Sequence, residues 1–260
     1  MMRYSQTFLL LALSLASSGA LLAADTASNP IAEVVMVKEQ AGQVSVQVVE
    51  GRAHMRPATP WTPAAVFTAL QEMPKPDVAR GKVLHNDLFC ASCHGVAGES
   101  ISDNWPSLAG QRAEYTYKML LDYQSGLRDE DKKSHIMKVE AELLSKQDMA
   151  DLAAFYAAQP LPVAAYVADA ATSHMIRKGD ASRLVTPCAS CHGLQGQGGI
   201  NETPALAGLP RDYFIRTMKL YRDGKRHNDS VQAMRAFVKP LTDEEIIALA
   251  NYYAPAVAGH

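Results

Sequence analysis

Cys90-Ala91-Ser92-Cys93-His94 and Cys188-Ala189-Ser190-Cys191-His192 are the same five residues written twice, and they use all four cysteines of the chain. The spacing C-x-x-C-H is the attachment signature of covalent c-type haem. Two thiols three positions apart sit on one edge of a short helical turn, where each can form a thioether with one haem vinyl group. The adjacent histidine then reaches the iron from the same side as its proximal ligand. A thioredoxin-like redox disulfide needs a βαβ setting, and the surroundings read as helical. A zinc site needs further Cys or His at ligand spacing, and none flanks either motif. The residues therefore imply two covalently bound haem c groups, attached through Cys90, Cys93, Cys188 and Cys191, with His94 and His192 on iron.

The motifs sit inside a longer repeat. A shift of 98 positions carries Gly81 onto Gly179, Gly95 onto Gly193 and Gly98 onto Gly196. It also carries Pro106-Ser107-Leu108-Ala109-Gly110 onto Pro204-Ala205-Leu206-Ala207-Gly208, Tyr115 onto Tyr213, and Tyr123 onto Tyr221. After a one-residue deletion the shift is 97, and Met137 falls on Met234, Leu144 on Leu241 and Leu152 on Leu249. Two tandem copies of one small domain explain this register. A core of about 75 to 80 residues is marginal alone, and a bound haem supplies the missing apolar contacts.

Each copy reads as helical. Tyr117, Leu120, Leu121 and Gln124 have helix spacing within Ala113–Gln124, which Gly126 ends, and residues 212–222 match it ahead of Gly224. The last helix of each copy opens on a capping-box pattern, Ser145 with Asp148 and Thr242 with Glu245.

The distal ligand has to be chosen among eleven methionines and the six histidines outside the motifs. Met137 and Met234 are the pair in repeat register, 43 and 42 residues after His94 and His192, and each eight before its Ser/Thr cap. Met119 and Met218 are one place out of register and read as core filling. His135 and His227 are the competing ligands, though the repeat does not equate them, and His85 and His174 have no counterpart. A His/Met pair raises the potential relative to two histidines, because the soft neutral thioether favours ferrous iron. It also leaves no open position for substrate, which suits a carrier. Pro106 and Pro204 each follow their haem histidine by 12 residues. A carbonyl there would fix the imidazole through its other nitrogen; otherwise each proline simply shapes a turn.

Composition bounds the rest. The chain has 260 residues, 48% hydrophobic and 20% charged, with a net charge of -2. That is enough apolar content for packed cores, and it offers no electrostatic attraction for nucleic acid. Arg3 is the only charge before Asp25, an apolar run spans Phe8 to Ala16, and small residues surround Ala20, Ala23 and Ala24. This predicts a secretory signal peptide over residues 1–24, cleaved at one of those alanines. The alternative, an uncleaved anchor, meets a run short of the roughly 20 residues a span needs. Localisation in a bacterial periplasm follows.

The haem motifs, the Pro-x-Leu-Ala-Gly segments, the tyrosine helices and the Met-to-cap spacing resemble class I cytochromes c. The tandem arrangement is similar to the diheme cytochrome c4 family over residues 77–160 and 175–255. The resemblance implies an all-α fold of two tandem class I cytochrome c domains with haem edges near each other. It implies electron transfer in the periplasm, often to a terminal oxidase. It also implies that the first and last helices of a domain cross at a glycine and an aromatic, Gly81 with Phe155 and Gly179 with Tyr252. The expected division is a first domain at 77–160, a linker at 161–178 and a second domain at 179–260. Residues 25–76 depart from the family. Val34, Val35 and Val37, then Val44, Val46, Val48 and Val49, flank Gly42 as in a β-hairpin. Pro57, Pro60 and Pro63 precede a short helix over Ala64–Met73. This extension is either a packing arm or partly disordered tether, or a docking element for a partner protein.

Charge is uneven between the copies. Residues 81–160 hold 12 acids and 8 Lys/Arg, whereas 179–253 hold 8 and 9. Three functions are compared. The first is a soluble carrier between a respiratory donor and a terminal oxidase or reductase. The second is a haem-bearing subunit of a larger dehydrogenase or oxidase complex, associated with a membrane complex or not. The third is a diheme enzyme. A peroxidase needs an iron that can open a position, and a thiosulfate-oxidising diheme enzyme would use a cysteine ligand, for which no fifth cysteine exists. The reading is a non-enzymatic carrier with redox-protein partners.

Overall fold

Most of the long helices begin where a side chain takes up the first free backbone amides. The computed structural model describes residues 35–40, 43–48, 58–166, 168–200 and 202–255; the signal peptide expected at 1–24 lies outside them. The chain forms two units, 1–55 and 56–260. In the first, β1 (Val35–Gln40) pairs antiparallel with β2 (Gln43–Val48), with Val35 opposite Val48 and Gln40 opposite Gln43. This is the hairpin that the alternating valines predict, and it is the sole sheet among the described residues.

The second unit is helical. Its first part holds α1 (Pro63–Gln71), α2 (Val78–Asp87), α3 (Ala91–His94), α4 (Ala113–Ser125), α5 (Lys132–Glu142) and α6 (Lys146–Ala157). Its second part holds α7 (Ala170–Lys178), α8 (Ala189–His192), α9 (Arg211–Arg222), α10 (Ala233–Val238) and α11 (Asp243–Tyr253). Ser145 and Thr242 both form reciprocal capping boxes with Asp148 and Glu245. The α1 start is fixed by Thr62, whose hydroxyl accepts from the Ala65 amide, with Pro63 in the first turn.

The first copy packs α2 across α6 at Gly81, where a Cβ would lie 2.1 Å from the Asp151 carbonyl oxygen and 2.8 Å from the Phe155 Cβ. The second copy does not repeat this. Gly179 closes α7 with a left-handed φ of 71°, and a Cβ there would strike the Val185 carbonyl at 2.1 Å rather than Tyr252. The residue expected at a helix crossing is a helix terminator, because α7 ends just before it.

The same fact shortens the linker. Residues 161–178 are expected as the link between the copies, yet 170–178 form α7, which buries Met175 and Ile176 in a core with Phe214, Ile246, Leu249 and Tyr253. The polar run Ala170-Ala171-Thr172-Ser173-His174 hides this helix from a hydrophobic-pattern reading. The remaining link runs antiparallel to the chain end, with the Ala165 amide donating to Ala254 O at 2.8 Å. Repeat register survives in the backbone: Gly110 N–H donates to Tyr156 O at 2.9 Å, and Gly208 N–H to Tyr253 O at 2.8 Å.

Candidate haem-binding site

In each copy the C-x-x-C-H residues wind into one helical turn, closed by His94 N–H to Cys90 O and His192 N–H to Cys188 O, both at 3.0 Å. The winding puts both thiols and the imidazole on one side, as their spacing requires. No disulfide joins any of the four cysteines. Burial pushes the Cys90 thiol up, and the Cys188 thiol up to about 11.

Nδ1 of His94 lies 2.9 Å from Pro106 O, and Nδ1 of His192 lies 2.8 Å from Pro204 O. The orienting carbonyls are thus those of the two prolines in register. Burial pushes both imidazoles below the usual histidine range, against the pull of these carbonyls. Each is neutral at pH 7, with Nδ1–H committed to a carbonyl and the Nε2 lone pair free for a metal.

A cavity of about 580 Å³ runs through both copies and across the seam between them. Cys90, Cys93, His94 and Met137 line it on one side, and Cys188, Cys191, His192 and Met234 on the other. The competing histidines lie elsewhere. His85 is fully buried between Tyr156 Oη (2.9 Å) and Gly95 O (3.0 Å). His135 is exposed beside Asp129, and the exposed His227 bonds to Lys225 O. His54 and His260 lie outside the described residues. Met218 is core, as expected, but Met119 is not mere filling: its sulfur accepts from Asn228 Nδ2 at 3.3 Å and Arg226 Nη2 at 3.4 Å.

The seam holds the residues that sequence reasoning missed. Arg128 and Arg226 are buried, line the cavity and stand 98 positions apart. Each guanidinium caps a tyrosine of its own copy, Tyr123 at 4.5 Å and Tyr221 at 4.4 Å. Arg128 pairs with Glu130 at 2.6 Å. Arg226 has hydrogen bonds to Asn228 Oδ1, Tyr115 Oη and Met119 Sδ, and no carboxylate partner among the described residues. A buried guanidinium needs an anion, and haem carboxylates in the same cavity would supply one. With apolar walls, cysteines in no disulfide, neutral imidazoles and this charge together, the residues fit haem c. The repeat register was the available signal for the two arginines, but an arginine reads as surface until its burial is seen.

Further seam contacts are made by Gln111 and by backbone groups. Gln111 donates to Ala205 O at 3.1 Å and accepts from the Ala205 amide at 2.7 Å, and the Tyr213 amide donates to Asp103 O at 2.8 Å.

The cytochrome c family model matches residues 78–157 and 178–254. One covalent haem site in each of two helical copies defines a diheme electron-transfer protein. A cytochrome c4 from Thiocapsa roseopersicina is 35% identical over 63% of this chain and 84% of its own length. A thiosulfate dehydrogenase electron acceptor from Stutzerimonas stutzeri is 32% identical over 64% of this chain and 78% of its own. The crystal structure of reduced cytochrome c4 from Pseudomonas stutzeri superposes with a TM-score of 0.62 at 29% identity, covering 69% of this chain and 98% of that one. The chain belongs to the cytochrome c family, and within it to the diheme cytochrome c4 proteins. It is an electron-transfer protein with two covalent haem c groups, and not an enzyme.

Proposed function

We propose that Cys90 and Cys93, and Cys188 and Cys191, carry the thioethers, that His94 and His192 are the proximal ligands, and that Met137 and Met234 are the distal ones. One observation supports this above others. Met137 and Met234, the methionines in repeat register, line one cavity with both motif histidines, as Met119, Met175 and Met218 do outside that register, while His85, His135 and His227 are bonded elsewhere. Haem c supplies a one-electron ferric/ferrous couple when bound. Pro106 and Pro204 hold the imidazole planes, and Arg128 and Arg226 place positive charge at the seam for haem carboxylates. The residues of both sites open into one cavity, which gives an electron a short protein-enclosed route between copies.

The protein on this reading is a periplasmic carrier that takes electrons from a respiratory donor and delivers them to a terminal oxidase or reductase. No helix among the described residues is long and apolar enough to cross a membrane. A second reading, the haem-bearing acceptor of a dehydrogenase complex, is favoured by the relative named as a thiosulfate dehydrogenase electron acceptor and by an N-terminal extension outside the family match. Co-purification from native membranes and soluble extract separates the two.

The test is a redox titration of the holoprotein, followed by the weak ferric band of sulfur-to-iron ligation. Two one-electron steps at positive potential are expected. Met137→Ala and Met234→Ala should each remove one haem's share of the band and open one carbon monoxide site. A band that survives both substitutions would overturn the ligand assignment.

A further inference from the structure

The two methionines are supported very differently. Met137 lies inside α5, whose start is closed by a capping box between Asp131 and Ser134. Met234 lies in the six-residue α10, whose N-cap residue Gln232 makes no side-chain cap bond, the first-turn amide of Arg235 being taken up instead by Asp229 at 3.0 Å. The turn before it, Ser230–Gln232, places Val231 at φ 50° and Gln232 at φ 59°. Two consecutive non-glycine residues in the left-handed region, one of them β-branched, form a strained support. Such backbone persists only when its surroundings over-determine it.

Asp229 and Glu202 hold this turn from within its own copy, through Arg235 and Ser230, and the other copy adds a second set of bonds. Asn228, six residues before Met234, donates to Asp122 Oδ2 at 2.6 Å, and its carbonyl accepts from Lys118 Nζ at 2.8 Å. Asp122 and Lys118 are buried on α4 and pair at 2.7 Å. Asp122 also accepts the Trp61 indole N–H, and Lys118 Nζ lies 5.4 Å from the centre of the Trp61 ring. Trp61 stands just ahead of α1, which lies against both α4 and the strained turn. Residues 58–77 precede the segment that matches the family model, so this brace is an addition to the cytochrome fold.

We propose that Trp61 and α1 are a positioning element for Met234, holding through Asp122 and Asn228 the turn that presents its sulfur to the second iron. The proposal rests on the ligand assignment above. Trp61 acts through Asp122 and Lys118. In the first copy the start of the methionine helix is closed by the reciprocal Asp131–Ser134 capping box, with no left-handed pair of residues ahead of it.

The test is competition of exogenous imidazole for ferric iron in full-length holoprotein, read by loss of the sulfur-to-iron band. Wild type is measured first. If fewer than two haems contribute to its band, the ligand assignment fails, and this inference fails with it. Trp61→Phe keeps the ring but removes the indole N–H, and Trp61→Ala removes both. Each should tighten imidazole binding at one haem by about tenfold or more, the scale of one hydrogen bond to a charged group. In the Met137→Ala background the affected haem should be the one that still gives the band. In the Met234→Ala background Trp61→Phe should change nothing. Unchanged imidazole affinity in both Trp61 variants would overturn the proposal. So would an equal change at both haems, which would show only general loosening.

Discussion

Gly81→Ala sets helix propensity against packing in a way that gives a number. Alanine is better than glycine in a helix interior by about 1 kcal/mol, so an unobstructed site would gain stability. The site is obstructed: the new Cβ would lie 2.1 Å from Asp151 O and 2.6 Å from its carbonyl carbon, on the α6 backbone. That is more than roughly 1 Å inside ordinary contact, and backbone cannot swing aside as a side-chain tip can. Separating α2 from α6 also disturbs the bonds of Asp151 to the Asp77 amide (2.7 Å) and to Arg80. Overpacking costs about 1–3 kcal/mol, and the lost bonds add about 1 kcal/mol. After the propensity gain, a net loss of about 2 kcal/mol remains, or roughly a 10 °C fall in the melting of an 80-residue unit. Gly224→Ala is the control. It has a φ of 72° with nothing within 4 Å of a Cβ, so backbone conformation alone should cost about 1 kcal/mol. Both variants are compared by denaturant titration of holoprotein, followed by circular dichroism and haem absorbance. If Gly81→Ala melts at or above wild type, the account of the crossing is wrong.

Gln111→Leu should leave the buried amide and carbonyl of Ala205 unpaired and cost about 2 kcal/mol at the seam. A single denaturation curve should then split in two, and coincident unchanged midpoints would count against the seam's role. Ser145→Ala and Thr242→Ala should each lose about 1 kcal/mol and should add in the double variant; a loss in one copy only would contradict the equivalence of the two capping boxes. Burial alone would raise the Asp151 carboxyl, but the Asp77 amide, Arg80 and Gln147 outweigh it and hold it below the usual carboxylate range. Its contribution is therefore complete above about pH 4 and is lost as pH falls through the folded value. Asp151→Asn should be less stable at pH 7 and flatter than wild type in urea midpoint as pH falls below about 4; parallel curves would refute this.

The site was far more legible than its surroundings. Cys, His, Pro and Met carry chemistry that fixes their spacing, so writing the motif twice exposed ligand candidates and orienting carbonyls together. The capping boxes were equally local and equally readable. What escaped depends on partners distant in the chain. Gln111 bonds to a backbone 94 positions away, and backbone atoms leave no mark in a sequence. Trp61 reads as an isolated aromatic until Asp122 is placed beside it. Gly179 shows the limit of register, since it aligns with Gly81 yet ends a helix instead of crossing one. Repeat position predicts chemistry better than packing, because haem attachment is identical in both copies and their neighbours are not.

The amide clasp from Gln111 falls on Ala205, one residue after the carbonyl that orients His192. The second copy returns no matching side chain, because Leu209 stands where Gln111 would repeat. It answers by other means: the Tyr213 amide and the Arg216 guanidinium donate to the carbonyls of Asp103 and Asn104, just ahead of the Pro106 carbonyl that orients His94. A gene duplication begins with two interchangeable modules, either of which can be discarded or shuffled. Here each loop behind an imidazole is fastened from the other copy, and by different groups. Recombination that moved either copy alone would carry off a cytochrome missing part of its own scaffold.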